Sequence, residues 1–99
     1  MAAIEERKAT IRLTVKLTLD IIGWIGAGGV LAAYALVSMG RVRPDSYAYQ
    51  LLNLVGAAGL GLNTFYYMAY PSTALNAVWA LIAVYAVARL WKTRTEATP

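Results

Sequence analysis

Between Asp20 and Arg89 the chain carries charge only in the short cluster Arg41, Arg43 and Asp45, and this constrains the fold more than any other feature. The cluster and Pro71 leave three uncharged runs, residues 21–40, 46–70 and 71–88. At about 1.5 Å per residue, helices of about 19 to 23 residues reach roughly 28 to 35 Å, against about 30 Å for a bilayer's hydrocarbon core. A soluble domain of 99 residues with 60% hydrophobic and 14% charged residues would bury its apolar surface poorly. Lipid is therefore the expected solvent. The sequence predicts an all-α integral membrane protein, a three-transmembrane-helix bundle with spans near 21–39, 46–68 and 72–91. Residues 1–20 form a basic amino-terminal extension, and 92–99 a polar tail.

Helix punctuation agrees with this division. Gly40 can close the first helix, Pro44 resists continuation, and Asp45 or Ser46 can cap the N–H groups that open the second. Pro71 and Ser72 are read the same way for the third. Aromatic rings fall at the expected interface levels, Trp24, Tyr66, Tyr67 and Tyr70 at one and Tyr47, Tyr49 and Trp91 at the other.

Orientation follows from the basic residues. Four (Arg7, Lys8, Arg12, Lys16) lie on the amino-terminal side and five (Arg41, Arg43, Arg89, Lys92, Arg94) on the other, directly beside helix ends. The positive-inside rule then gives N-out and C-in. The net charge of +4 is divided between membrane flanks, without one compact basic face, so anionic lipid headgroups rather than nucleic acid are the expected contacts. A cleaved signal peptide fits poorly, because Glu5, Glu6 and Asp20 disfavour an n-region and the apolar run continues past "AYA" at 33–35.

Residues 10–20, "TIRLTVKLTLD", alternate polar and apolar as a half-buried strand does. A lone strand has no partner in this chain, so a helical stalk leading into the first span is the first reading and an interfacial segment the second. A strand added to a partner's sheet is the third.

Without His or Cys there is no imidazole base, thiol nucleophile or thiolate metal site, so neither an enzyme nor a cofactor or metal is expected. Apart from Arg89 at the end of the third, no Asp, Glu, Lys or Arg lies within a span, which leaves no internal carboxylate relay. Transport, if present, would be uncoupled. The spans are rich instead in small residues. Gly23, Gly26, Gly28, Gly29, Gly56, Gly59, Gly61 and Ala80 are the helix-packing candidates, since close backbone approach drives association in lipid.

At 100° per residue, Ser46, Gln50, Asn53, Ala57, Gly61 and Thr64 share one stripe of the second helix, with Asn63 adjoining. Asp20, Gly23, Ala27, Leu31, Tyr34 and Ser38 form a thinner stripe on the first, and Asn76 lies on the third. These polar groups are either interhelical glue or the lining of a cavity that offers amides to a ligand.

"IGWIGA" at 22–27, "LNTFYY" closing the second helix and "PSTALN" opening the third resemble the semi-SWEET half-transporters of the PQ-loop class. In that family a proline followed five residues later by asparagine begins the third helix, and the asparagine contacts sugar; Pro71 and Asn76 match the spacing. The chain departs from the family at Leu36 and Val37, where the Pro-Gln pair is expected, and at Asn63, where a sugar-stacking tryptophan is expected. The chain also resembles small bacterial membrane proteins of unknown function that share "IGW", "YQLLN" and "YPS..LN..WA". The resemblance implies a semi-SWEET-like facilitator for a small polar solute in a bacterial inner membrane, uncoupled because the spans lack carboxylates. A homodimer is expected because three helices enclose little interior and the small-residue faces suit a second copy. Asn76, Asn63, Asn53 and Gln50 are the candidate ligand-binding amides, with Tyr34 and Trp79 as aromatic surfaces. The alternative is a non-catalytic accessory or assembly subunit that engages other membrane-complex subunits through residues 1–20.

Overall fold

The computed structural model describes residues 1–97 and is all-helical. Its elements are α1 (Ala2–Ser38), α2 (Tyr47–Tyr66) and α3 (Tyr70–Ala97). Two of them, α1 and α3, are long and apolar enough to cross a membrane. The intervening α2 does not meet that standard, because Gln50, Asn53, Asn63 and Thr64 dilute its apolar content.

The amino-terminal extension and the first predicted span are one unbroken helix of 37 residues, about 55 Å long. The alternating pattern at 10–20 does not make a strand. Thr10, Thr14 and Thr18 each donate a hydroxyl hydrogen bond to the carbonyl four residues back, at 2.9, 2.9 and 2.8 Å. The polar half of the alternation is thereby satisfied within the helix. Residues 2–18 are exposed on all sides and project beyond the bundle as a stalk.

Local chemistry ends each helix. After α1, the Gly40 N–H donates to the Val37 carbonyl at 3.0 Å and the Arg41 N–H to that of Leu36 at 2.8 Å, with Gly40 at φ +72°. This is a Schellman closure, and glycine adopts its left-handed backbone freely. The same pair of bonds closes α2, from Met68 to Phe65 at 3.0 Å and from Ala69 to Thr64 at 2.8 Å, but here the left-handed residue is Met68, at φ 57°. Ser46 caps α2, its hydroxyl oxygen accepting from the Tyr49 N–H at 3.2 Å, while Asp45 pairs with Arg43 instead.

The third helix opens two residues earlier than its sequence signals suggest. The Ala69 carbonyl accepts from the Thr73 N–H at 2.9 Å, which places Pro71 in the first turn, where its missing N–H costs nothing, and leaves Ser72 inside the helix rather than at its cap. At the other end α3 continues through the region read as a polar tail as far as Ala97. Residues 98 and 99 of that tail lie outside the described residues.

The helices form a layer with α2 in the middle. It packs against α1 on one side and α3 on the other, and among the described residues α1 and α3 do not pack on each other. The α1–α2 contact is backbone on backbone: a Cβ at Gly26 would lie 2.7 Å from the Gly56 carbonyl oxygen, and one at Gly56 2.9 Å from that of Gly26. Gly23 and Gly59 extend the seam, Gly23 beneath the Asn63 side chain and Gly59 against Ile22. Across α2, the inward positions of α3 are Thr73, Asn76, Ala80, Ala83, Val87 and Leu90, a three-four spacing that keeps one stripe facing α2.

The interior therefore consists of small groups. The buried hydrophobic residues are Ala33, Ala57 and Ala83, and no large side chain is fully buried among the described residues. Large apolar side chains point outward, and the surface of 7420 Å² exceeds the roughly 5,500 Å² of a compact soluble monomer of this mass. Gly28 differs from the other candidate packing glycines: nothing lies within 4 Å of where its Cβ would be. The α1–α2 seam recurs at Gly23, Gly26 and Ala33, and Gly28 falls out of that phase.

Candidate functional site

The polar residues singled out from sequence settle into separate local networks. Asn53 is 3% exposed, and its amide donates to the Tyr49 carbonyl of its own helix at 3.1 Å. The Asn76 amide donates to the Ser72 carbonyl at 3.0 Å, with its Cβ resting near Gly61. Gln50 reaches back to the Pro44 carbonyl at 3.0 Å. Among the described residues no buried side-chain N or O atom lacks a partner.

Asn63 behaves differently, because it crosses between helices. Its amide donates to the Leu19 carbonyl of α1 at 2.9 Å, and its side chain fills the notch above Gly23, where any Cβ would collide with it. A carbonyl within a helix already accepts one backbone bond, and its second lone pair accepts the amide. One turn further, the Tyr67 hydroxyl donates to the Asp20 carboxylate, whose other oxygen accepts from the Lys16 ammonium at 3.0 Å. The Tyr67 hydrogen bond and then the Lys16 ammonium hold the Asp20 carboxyl below its ordinary value of 3.8. Asp20 in turn pushes the Lys16 ammonium above its ordinary 10.5.

On the other side of α2, the Thr73 hydroxyl donates to the Thr64 hydroxyl at 3.0 Å, and the Thr64 hydroxyl passes its own proton back to the carbonyls of Leu60 and Gly61. Helix α2 is thus tied to α1 through Asn63 and to α3 through Thr64. The stripe of Asn53, Ala57, Gly61 and Thr64 faces α3 or is buried beside it. The thinner α1 stripe splits: Asp20, Gly23 and Ala27 meet α2, whereas Leu31, Tyr34 and Ser38 turn outward, leaving Tyr34 68% exposed. Trp79 also lies on an outer face.

A shallow groove of about 300 Å³ lies over the α1–α2 contact, lined by Asp20, Trp24, Asn63 and Tyr67 among others. It is the place where a candidate amide, a carboxylate, a phenol and an indole converge. Asn53, Asn76, Tyr34 and Trp79 do not line it. One copy of the chain therefore does not gather the six candidate ligand residues around one cavity. Sequence reasoning passes over Asp20, Tyr67, Thr73 and the Leu19 carbonyl as partners, since the pairs are joined only by the packing of distant helices.

Several of the rings expected at the interfaces meet a neighbouring side chain. Tyr66 and Tyr67 stand edge to face at 5.0 Å between ring centres, and Phe65 and Tyr70 at 6.3 Å. At the opposite end the Arg94 guanidinium sits 4.6 Å from the centre of the Tyr47 ring, beside Trp91.

Fold and site together define an all-helical chain in which two helices of membrane-crossing length, α1 and α3, flank the shorter α2. A family model matches residues 19–94, and the chain belongs to that family, one of unknown function. The match begins at Leu19, where the α1–α2 contact also begins, and leaves the stalk outside it. No curated protein and no solved structure matches the chain.

Proposed function

We propose that the protein is a three-span integral membrane protein of a bacterial inner membrane that acts, without catalysis, as an accessory or assembly subunit of a larger membrane complex. The observation that carries this reading is that the amides of Asn53, Asn63, Asn76 and Gln50 all donate within the chain. Asn63 bridges two helices and the other three bond locally, while the large apolar side chains of all three helices face outward. In lipid this inverted distribution is the stable one, and α2 tolerates its polar groups because its neighbours cover them. The stalk then stands beyond the bilayer with Ile4, Ile11, Leu13 and Leu17 exposed, a surface suited to a protein partner.

Co-purification in mild detergent tests the reading. Stoichiometric partners are expected with the full-length chain and are lost when residues 2–18 are removed. Recovery of the chain alone, with and without the stalk, overturns it.

The facilitator reading, in which two copies enclose a solute path, has one observation in its favour: the groove at Asp20, Trp24, Asn63 and Tyr67 presents polar groups beside an aromatic ring. Under that reading, substituting Asn63 and Asn76 lowers solute uptake by reconstituted protein. Under the subunit reading it alters stability alone.

A further inference from the structure

At the end of the bundle opposite the stalk, two adjoining grooves of about 460 and 440 Å³ share Tyr85, Arg89 and Thr93. The spacing of four places these three side chains on one stripe of α3, and Lys92 joins them from the next position. The Arg89 guanidinium has no carboxylate partner among the described residues. Asp45, also at the groove, is already engaged by Arg43 through two hydrogen bonds of 3.0 Å. The remaining α3 residues that line the larger groove, Ile82, Ala86 and Leu90, are apolar. The surrounding end of the molecule is cationic, with Arg41, Arg43, Arg89, Lys92 and Arg94 set against Asp45 and Glu96.

We propose that this groove binds the headgroup of an anionic phospholipid, Arg89 and Lys92 meeting the phosphate, Thr93 adding a hydroxyl donor, and Ile82 and Ala86 lying against the acyl chains. Charge complementarity selects the headgroup, since a guanidinium and an ammonium one turn apart on a helix suit a phosphate and repel an amine. The apolar wall selects a lipid over a free anion. A groove between helices, open at its side, lets a lipid enter from the bilayer without passing through water. The proposal rests on the membrane reading above.

The test uses the full-length protein in a neutral detergent, titrated with phosphatidylglycerol, phosphatidylcholine or inorganic phosphate, with bound lipid counted by native mass spectrometry. Phosphatidylglycerol is expected to bind at least about tenfold more tightly than phosphatidylcholine. The double variant R89Q/K92Q should weaken it about 30-fold, while R12Q, on the stalk at the opposite end, should leave it unchanged. Helicity by circular dichroism should be the same for all three proteins. Equal affinity for the two lipids, or unchanged affinity in R89Q/K92Q, overturns the proposal. Inorganic phosphate competing as well as the lipid overturns it in favour of a free-anion site. Flotation with phosphatidylcholine vesicles separates this outcome from failure of the membrane reading: a chain that floats but ignores headgroup charge removes only the groove, and one that does not float removes both.

Discussion

Asn63 is the residue on which the α1–α2 pairing turns, because its amide spans two helices while its side chain occupies the notch that Gly23 leaves open. Asn63→Ala should cost about 1 kcal/mol, the scale of an interhelical hydrogen bond in lipid, measured by unfolding in mixed micelles. Met68 offers the opposite case, a side chain held at φ 57° in a closure that glycine makes without strain at Gly40. Met68→Gly should stabilise the chain by about 1 kcal/mol, read as a rise in Tm. Asp20 adds a pH signature. Its carboxyl is depressed by the Tyr67 hydroxyl and Lys16, so its stabilisation is present above the ordinary value of 3.8 and is lost as pH falls through the lower folded value. Asp20→Asn should therefore melt below the wild type at neutral pH, and the gap should close on acidification below 3.8. A gap that persists in acid would contradict this role for Asp20.

The seam between α1 and α2 sets the geometry of the whole layer. A Cβ at Gly56 would lie 2.7 Å from the Val30 side chain and 2.9 Å from the Gly26 carbonyl oxygen. The side chain can turn aside but the backbone cannot, so Gly56→Ala should force the helices apart at a cost of about 1 to 3 kcal/mol. Gly28→Ala meets nothing within 4 Å and should stabilise the helix by up to about 1 kcal/mol, so the pair separates helix propensity from packing. Chemical denaturation of both variants measures the difference. At this scale much is legible in the sequence, because caps and charge gaps are local: Gly40, Ser46 and the Arg41–Asp45 cluster mark the first turn without reference to any other helix. The start of α3 is misplaced by its sequence signals because Pro71 fits the first turn of a helix as well as its boundary. Gly28 cannot be told from Gly26 by sequence, since only the rotational phase of the contact distinguishes them. The bonds from Asn63 to Leu19 and from Tyr67 to Asp20 join residues 44 and 47 positions apart and leave no spacing signal.

For the molecule as a whole, the middle position of α2 explains why the helix that carries Gln50, Asn53 and Asn63 is the most covered and why the polar residues form no common chamber. The two stripes read from sequence as facing walls meet only in part, since α1 and α3 do not pack on each other. What remains outward is apolar surface along the layer, a cationic end at Arg89, and a helical stalk that continues α1 well past the level of Asp20. The decisive measurement is native mass spectrometry of the protein extracted gently from the cells that make it, recording every mass that travels with the 10.7 kDa chain. A subunit should appear in a defined assembly containing other proteins, which dissolves when residues 2–18 are deleted. A clean dimer of intact chains, unchanged by that deletion, would contradict the subunit reading.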